Sequence, residues 1–352
     1  MGFLFGGKGT TTRADKLGDF QINSASYGEV VPDILGTTRV SGNVIYWDDF
    51  TAHEHKQTQR AGKGGGSKHT NITYTYTVAA AIALCEGPIQ SVGKVWVDKE
   101  VFDYPNPNIQ LTLFNGSLGQ SPWPYVVGKH PEKALPYSGL AYMAGVVDLG
   151  DRGSLPNYNF EVRGKLLNTG DGVDVNPADY ILHVLKSAGM GDVQIDGLDN
   201  YRRYCAAADL LISSPPSMSA QKAQQIINDI AEMTNAYLFW SNNKLKIVPL
   251  ADEAVGSWSP DKEIKYDLGI DDLIPGSDGQ LVLYSRKDSS ECYNQASVEF
   301  INRSNSYEKE VVSFEVVADV QRNGLRPASV KTAHYLYTKK REMYLAEKLA
   351  MK

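Results

Sequence analysis

The stretch Ile72-Thr73-Tyr74-Thr75-Tyr76-Thr77-Val78 constrains this chain more than any other. Its alternation has a period of two, which an extended strand keeps and a helix does not. One face carries Ile72, Tyr74, Tyr76 and Val78; the other carries threonines. Beyond Val78 the alternation stops, and Ala79 to Cys85 is apolar on both faces. A strand that begins one-sided and ends two-sided passes from a surface into a contact between layers. Any fold for this chain must therefore cover both sides of the strand's second half.

The residues just upstream say what this strand pairs with. NVIYW (43–47) is a strand signal, and AGKGGGSKH (61–69) is a glycine-rich, cationic loop between the two. A long hairpin with a mobile tip fits. Turn residues Gly28, Pro32, Gly36 and Gly42 punctuate short strands before it, and SVGKVWVDKEVF (91–102) reads as a further strand pair turning at Asp98-Lys99. Residues 103–150 are rich in Pro, Gly, Asn and Tyr and show no helical period, so they read as an insertion. LPNYNFEVRGK (155–165) closes this β-rich region as a strand. The 32 glycines, 16 prolines and 20 tyrosines of the 352 residues agree with a turn-rich, β-rich body.

At about residue 171 the pattern changes. Asn176-Pro177 is a helix entry, followed by Tyr180, Ile181, Val184, Leu185 and Ala188 on one face and Gly189 as a stop. Residues 201–212 read as a helix leading to a strand. Ala220 to Ala231 repeats at helical spacing, and AYLFW (236–240) with KLKIVPL (244–250) makes a hairpin around Ser241-Asn242-Asn243. From about 270 strand signals return in QLVLYSR, QASVEFIN and KEVVSFEVV, and a helix is expected from about Ser329 to Lys352. That helix has no glycine stop, so the expectation is that the chain was cut there or that the gene product continues in its parent family. The length suits two to three domains at about 100–200 residues each. The expected division is a flexible arm over 1–19, a β domain over 20–170 with its insertion at 103–150, an α+β domain over 171–260, and a second β domain over 261–352, incomplete at its C-terminus. The fold class is α+β, β-rich and multidomain.

Little in the chain reads as catalysis. Gly2 to Gly9 nearly spells a phosphate loop, but the Ser or Thr after Lys8 is missing and no strand precedes it. His53 and His55 would share a strand face and could hold a metal with His69 or a carboxylate, although exposed histidines are the plainer reading. Asp171, Asp174 and Asn176 look superficially like a calcium loop, but its third and fifth positions would be Val173 and Val175. The 3 cysteines, Cys85, Cys205 and Cys292, exclude a disulfide framework and a four-cysteine zinc site and read as reduced thiols. No metal, no cofactor and no enzymatic activity is expected. No apolar run approaches the roughly 20 residues of a membrane span. The net charge of −6 argues against a general nucleic-acid coat, which needs cationic surface.

Several phrases then fall in a telling order. Tyr27-Gly28-Glu29-Val30-Val31-Pro32 precedes Leu35-Gly36-Thr37-Thr38-Arg39-Val40-Ser41-Gly42-Asn43. Tyr74-Thr75-Tyr76 precedes Ala83-Leu84-Cys85-Glu86-Gly87-Pro88-Ile89 and Val95-Trp96-Val97-Asp98. Gly139-Leu140-Ala141-Tyr142, Leu155 to Val162 and Asn176-Pro177-Ala178-Asp179 follow. Over residues 20–352 this order resembles the phage tail-tip and baseplate hub family, which includes lambda's tip attachment protein J and the tail-tip protein of gene transfer agents.

The resemblance implies a structural role. The two β regions would be tail-tube-like barrel or sandwich domains flanking an α+β hub domain. Three copies would form a ring, a homotrimer, that joins the tail tube and distal tail protein to fibre or spike proteins. The tape measure protein would be a further partner, and DNA would pass the channel without specific binding during ejection. The protein would be made in the host bacterial cytoplasm and reside at the tail tip of the virion. Two alternatives remain beside it: a tail-associated peptidoglycan hydrolase, and a carbohydrate-binding β protein using Trp123, Tyr125 and Tyr137. The expected assembly contacts are Lys8 and Arg13 in the arm, and Arg60, Lys63, Gly64, Gly65, Gly66 and Lys68 around the hairpin tip, because these cationic segments could settle against an acidic neighbour.

Overall fold

The computed structural model describes residues 10–21, 30–60, 68–167, 170–216, 221–263, 266–277, 279–285, 288 and 292–351. Two compact units divide the chain, Met1–Lys165 with Pro216–Ser219, and Leu166–Pro215 with Ala220–Lys352.

The first unit holds β1 (Thr10–Arg13), β2 (Thr37–Ser41), β3 (Asn43–Arg60), β4 (Lys68–Glu86), β5 (Ser91–Val97), β6 (Glu100–Asp103), β7 (Thr112–Phe114), α1 (Pro124–Lys129), β8 (Leu140–Gly150) and β9 (Tyr158–Arg163). One sheet runs β1-β4-β8-β7 with β3 on the other side of β4; a second runs β2-β9-β5-β6. The long hairpin is present. β3 and β4 pair antiparallel from Arg60↔Lys68 to Asn43↔Ala83, with register shifts at Val44/Tyr46 and Asp48/Thr51. Of the arm read across 1–19, Thr10–Arg13 forms a parallel strand on β4, with Arg13 opposite Ile72.

Burial along β4 follows the pattern in its sequence. Ile72, Tyr74 and Tyr76 are buried while the threonines between them are not, and every residue from Val78 to Cys85 is buried. The inward-facing Ile72, Tyr74, Tyr76, Val78, Ala80 and Ile82 pack with Val40, Val95, Phe160 and Val162 of the second sheet. That is a sandwich core. Ala81, on the opposite face, packs with Tyr142 and Ala144 beneath Tyr46, Phe114, Trp123 and Tyr137. The second cover that β4 demanded is thus the segment between β7 and β8. The span read as an insertion ends sooner than expected, because β8 within it is a full partner of β4 from Tyr76↔Gly150 to Glu86↔Leu140. Gly145 of β8 lets the chain before β7 close in: a Cβ there would stand 1.8 Å from the Gln110 carbonyl oxygen.

The second unit holds α2 (Pro177–Ser187), β10 (Ile195–Asp196), α3 (Leu198–Ala207), α4 (Ala223–Met233), β11 (Ala236–Ser241), β12 (Lys244–Pro249), β13 (Gln295–Asn302), β14 (Glu308–Glu315), α5 (Val317–Asn323), β15 (Lys331–Thr332) and α6 (Lys339–Ala350). α2 starts as its sequence indicates: the Asn176 side chain accepts from the Ala178 N–H at 3.0 Å, and Pro177 takes the first turn. The hairpin β11–β12 has β10 on its far side, giving the order β10-β12-β11. A further sheet runs β14-β13-β15. The architecture is β-rich α+β, as expected.

Two local expectations fail. Residues 280–285 form no strand, and Val282, Leu283 and Tyr284 are exposed. A strand signal needs a neighbouring strand to satisfy its backbone, and among the described residues none pairs with this segment. The terminal helix begins at Lys339 rather than near Ser329. The preceding residues instead add β15 to β13 in parallel and bury Ala333, Tyr335, Leu336 and Tyr337, so tertiary packing overrides helix propensity there.

Candidate functional site

The residues expected at assembly contacts have different fates. Lys8, Lys63, Gly64, Gly65 and Gly66 lie outside the described residues. Arg60 ends β3 with Lys68 as its pairing partner, and Lys68 is exposed. Arg13 donates from Nε to the Tyr74 hydroxyl and from Nη2 to Glu54, each at 2.8 Å. Lys56 also reaches Glu54 at 2.8 Å. The Lys56, Arg13 and Tyr74 hydrogen bonds hold the Glu54 carboxyl down at about 2. β1 is thereby tied to the hairpin by charge as well as by its ladder.

The histidines of the hairpin do not converge on a metal. His53 and His55 share a face, but each Nε2 meets a cross-strand threonine, Thr77 at 2.9 Å and Thr75 at 2.8 Å. His69 meets Thr10 at 2.9 Å.

A different cluster forms where β3 bulges. Asp49 sits there with φ +52°, in the register shift between Asp48 and Thr51. That backbone turns two successive carboxylates toward α1 and the residues after it. Asp49 Oδ2 accepts from the Tyr125 hydroxyl at 2.7 Å and lies 3.0 Å from His130 Nε2. Asp48 Oδ2 accepts from Lys133 Nζ at 2.5 Å. The Lys133 hydrogen bond lowers the Asp48 carboxyl, and the Tyr125 and His130 hydrogen bonds lower that of Asp49. The Tyr125 phenol is pushed up to about 12, first by its bond to Asp49 and then by burial. Among the described residues, Asp48, Asp49 and His130 form the one group whose ligand atoms lie within 4.8 Å of each other, close enough for a single metal ion. Lys133 and Tyr125 already meet both carboxylates, so the arrangement acts as a latch that fastens the cover onto β3.

Trp123 and Tyr125 stack at 5.0 Å beside this latch, and Trp123 meets Tyr46 edge-on at 6.3 Å. Tyr137 packs edge-on against buried Tyr142 at 5.4 Å. The aromatic trio singled out in the sequence is therefore brought together, but Tyr46, Ala81 and Tyr142 lie beneath it as core. The sequence offered a faint signal for this site: the doublet Asp48-Asp49 interrupts the apolar run from Val44 to Trp47 just before Phe50, as a bulge does.

The second unit holds a buried charge cluster. Asp174, with a side chain 1% exposed, accepts from Arg303 Nη2 and Arg341 Nη1, each at 2.5 Å, and from the Ser213 hydroxyl at 2.5 Å. Arg341 also reaches Asp171 and Asp209, each at 3.2 Å. Burial alone would raise the Asp174 carboxyl; the Arg303 hydrogen bond and charge, with Ser213 and Arg341, outweigh it and hold it below its ordinary value. Asp171 and Asp174 thus serve arginines rather than a calcium ion. Cys85 and Cys205 are buried, and burial raises both thiols, Cys85 to about 12.

Among the described residues, no helix is long and apolar enough to cross a membrane. Residues 222–334 match the family model Phage-tail_3, described as a putative phage tail protein. Among curated proteins none matches. The fold is similar to that of a chain in the virion of a native gene transfer agent (GTA) particle, with a TM-score of 0.66 and 19% sequence identity over 97% of this chain and 76% of that one. Together these findings support a phage tail-associated protein.

Proposed function

We propose that this protein is the structural hub of a phage or phage-derived tail tip. The match of residues 222–334 to a phage tail family and the fold likeness to a virion chain support a phage-derived tail structural protein. The observation that carries the reading is the fold likeness over 97% of the chain to a virion component, with residues 222–334 matched independently to a tail family. On that basis the chain resides in the virion, at the tail.

In this reading the chain forms a trimeric ring that joins the tail tube and distal tail protein to fibre or spike proteins and lines or closes the DNA channel. In it, residues 20–170 and 261–352 are tail-tube-like and residues 171–260 form the hub domain between them. The net charge of −6 suits a channel that DNA must pass without sticking. The sites described are latches and packed ion pairs, which fits a scaffold rather than an enzyme. The arm and hairpin tip, with Arg13 and Lys68 among their cations, would seat against acidic neighbours in the ring. A ring of three would have heterologous, closing interfaces.

Molar mass against concentration, together with binding to purified tail tubes, tests this reading. Concentration-dependent assembly to a trimer and binding to tubes are expected. A monomer that ignores tubes and cleaves cell wall would overturn it in favour of a tail-associated hydrolase. A monomer retained on polysaccharide would favour the carbohydrate-binding alternative.

A further inference from the structure

The β11–β12 hairpin buries much of one face, although Trp240 on it is 57% exposed, and leaves the other open. Leu245, Ile247 and Pro249 are buried on the inner side. On the outer side Tyr237, 59% exposed, stands directly opposite Val248, 45% exposed. Phe239 lies beside Tyr237 with ring centroids 5.6 Å apart and stands opposite Lys246, and Ser241 stands opposite Lys244. β11 is an edge strand among the described residues. An apolar face beside an open edge is a surface built to be covered.

Residues 266–277 of the same unit supply what could cover it. Tyr266 and Ile274 are 83% and 91% exposed, with Leu268 and Ile270 exposed between them. The segment carries Asp267, Asp271 and Asp272 and has no Lys or Arg. Its backbone closes locally, with Asp272 N–H to Gly269 O and Leu273 N–H to Ile270 O, and adds no rung to β11. Large apolar side chains this dense and this bare call for a partner. Their acidic charge is opposite in sign to Lys244 and Lys246 on the hairpin face, where Lys246 also lies 3.6 Å from Asp196. Exposed aromatic and aliphatic side chains on both surfaces would leave water in such a contact.

We propose that residues 266–274 of one copy dock on the outer face and edge of the β11–β12 hairpin of the next copy. Each copy gives a segment and receives one, so the contact is head-to-tail and can close a ring. This inference rests on the reading of the protein as a ring-forming tail component.

The test uses the full chain in two variants, a segment variant (Ile270→Asp with Ile274→Asp) and a face variant (Tyr237→Glu with Val248→Glu). All four positions are exposed, so the thermal midpoint should stay unchanged and exclude misfolding as the cause of any effect. Light scattering should show wild type assembling and each variant alone assembling at least tenfold more weakly. Mixed one to one, the variants should give a heterodimer that grows no further, because one intact contact remains to them. Either variant assembling as wild type does, or a mixture that stays monomeric, overturns the proposal. A monomeric wild type whose segment is already protected also overturns it, in favour of docking within one copy. A monomeric wild type whose tube binding is lost in the face variant overturns it in favour of another tail protein on the face. Tube binding by wild type separates the two readings. If it persists while both variants assemble normally, the tail role stands and the contact falls; if wild type binds no tube, the tail role itself falls.

Discussion

Arg341 and Asp174 are 167 positions apart in the sequence, yet their side chains meet at 2.5 Å with 5% and 1% exposure. Asp174 sits just before α2, Arg341 within α6, and Arg303 directly after β13 joins them. The pair therefore clamps the start of the second unit to its end.

Removing the shared carboxylate should be costly. Asp174→Ala leaves two guanidinium groups buried beside each other, and breaking a buried pair in this way costs about 3–5 kcal/mol. Denaturant unfolding should show that loss. Because the folded-state pKa of Asp174 is lowered, its contribution is present above the ordinary carboxylate range and disappears as pH falls through the lower folded value. The wild-type advantage over Asp174→Ala should therefore shrink in acid.

Glu342 titrates with the opposite sign. Its side chain is fully buried, neither carboxyl oxygen has a hydrogen-bond partner among the described residues, and burial raises it to about 9. The folded protein keeps a proton that the unfolded chain releases near 4.5. Stability from this site is full below that value and is lost as pH rises towards about 9. Glu342→Gln should flatten the fall in thermal midpoint between pH 5 and pH 9. At alkaline pH it should be more stable than wild type by on the order of a few kcal/mol. Parallel curves for the two proteins would contradict the assignment.

The latch at the β3 bulge should hold its cover in place. Asp49→Ala removes the acceptor of Tyr125 and His130 and puts alanine at φ +52°. Hydrogen exchange over residues 121–137 should rise, with a stability loss of about 1–3 kcal/mol. Asp49→Asn keeps an acceptor and tolerates that backbone, so it should exchange more like wild type.

Thiol chemistry should see one cysteine in the native protein. Cys292 is exposed while Cys85 and Cys205 are buried, so a thiol reagent should label Cys292 first. Cys292→Ser should remove the fast phase. Denaturation should release the other two.

How much of this was readable beforehand varies with distance along the chain. The alternation through Tyr74 and Tyr76 and its end at Val78 foretold burial on β4 residue by residue. Asn176-Pro177 marked a helix start because capping is settled within a few residues. The 280–285 signal misled, since β propensity has force only where another strand stands alongside. His53 and His55 did share a face, yet the threonines that occupy them come from the partner strand.

By itself the sequence determined the local grammar: which segments alternate, where helices are capped, and that one strand needed layers on both sides. The tertiary structure alone decided which carboxylate meets which cation. Asp48 with Lys133, and Asp174 with Arg303 and Arg341, are chosen by a bulge, a cover segment and a terminal helix brought together from far apart. Charge has no period along a chain, so its pairing is fixed by the packing that excludes water around it.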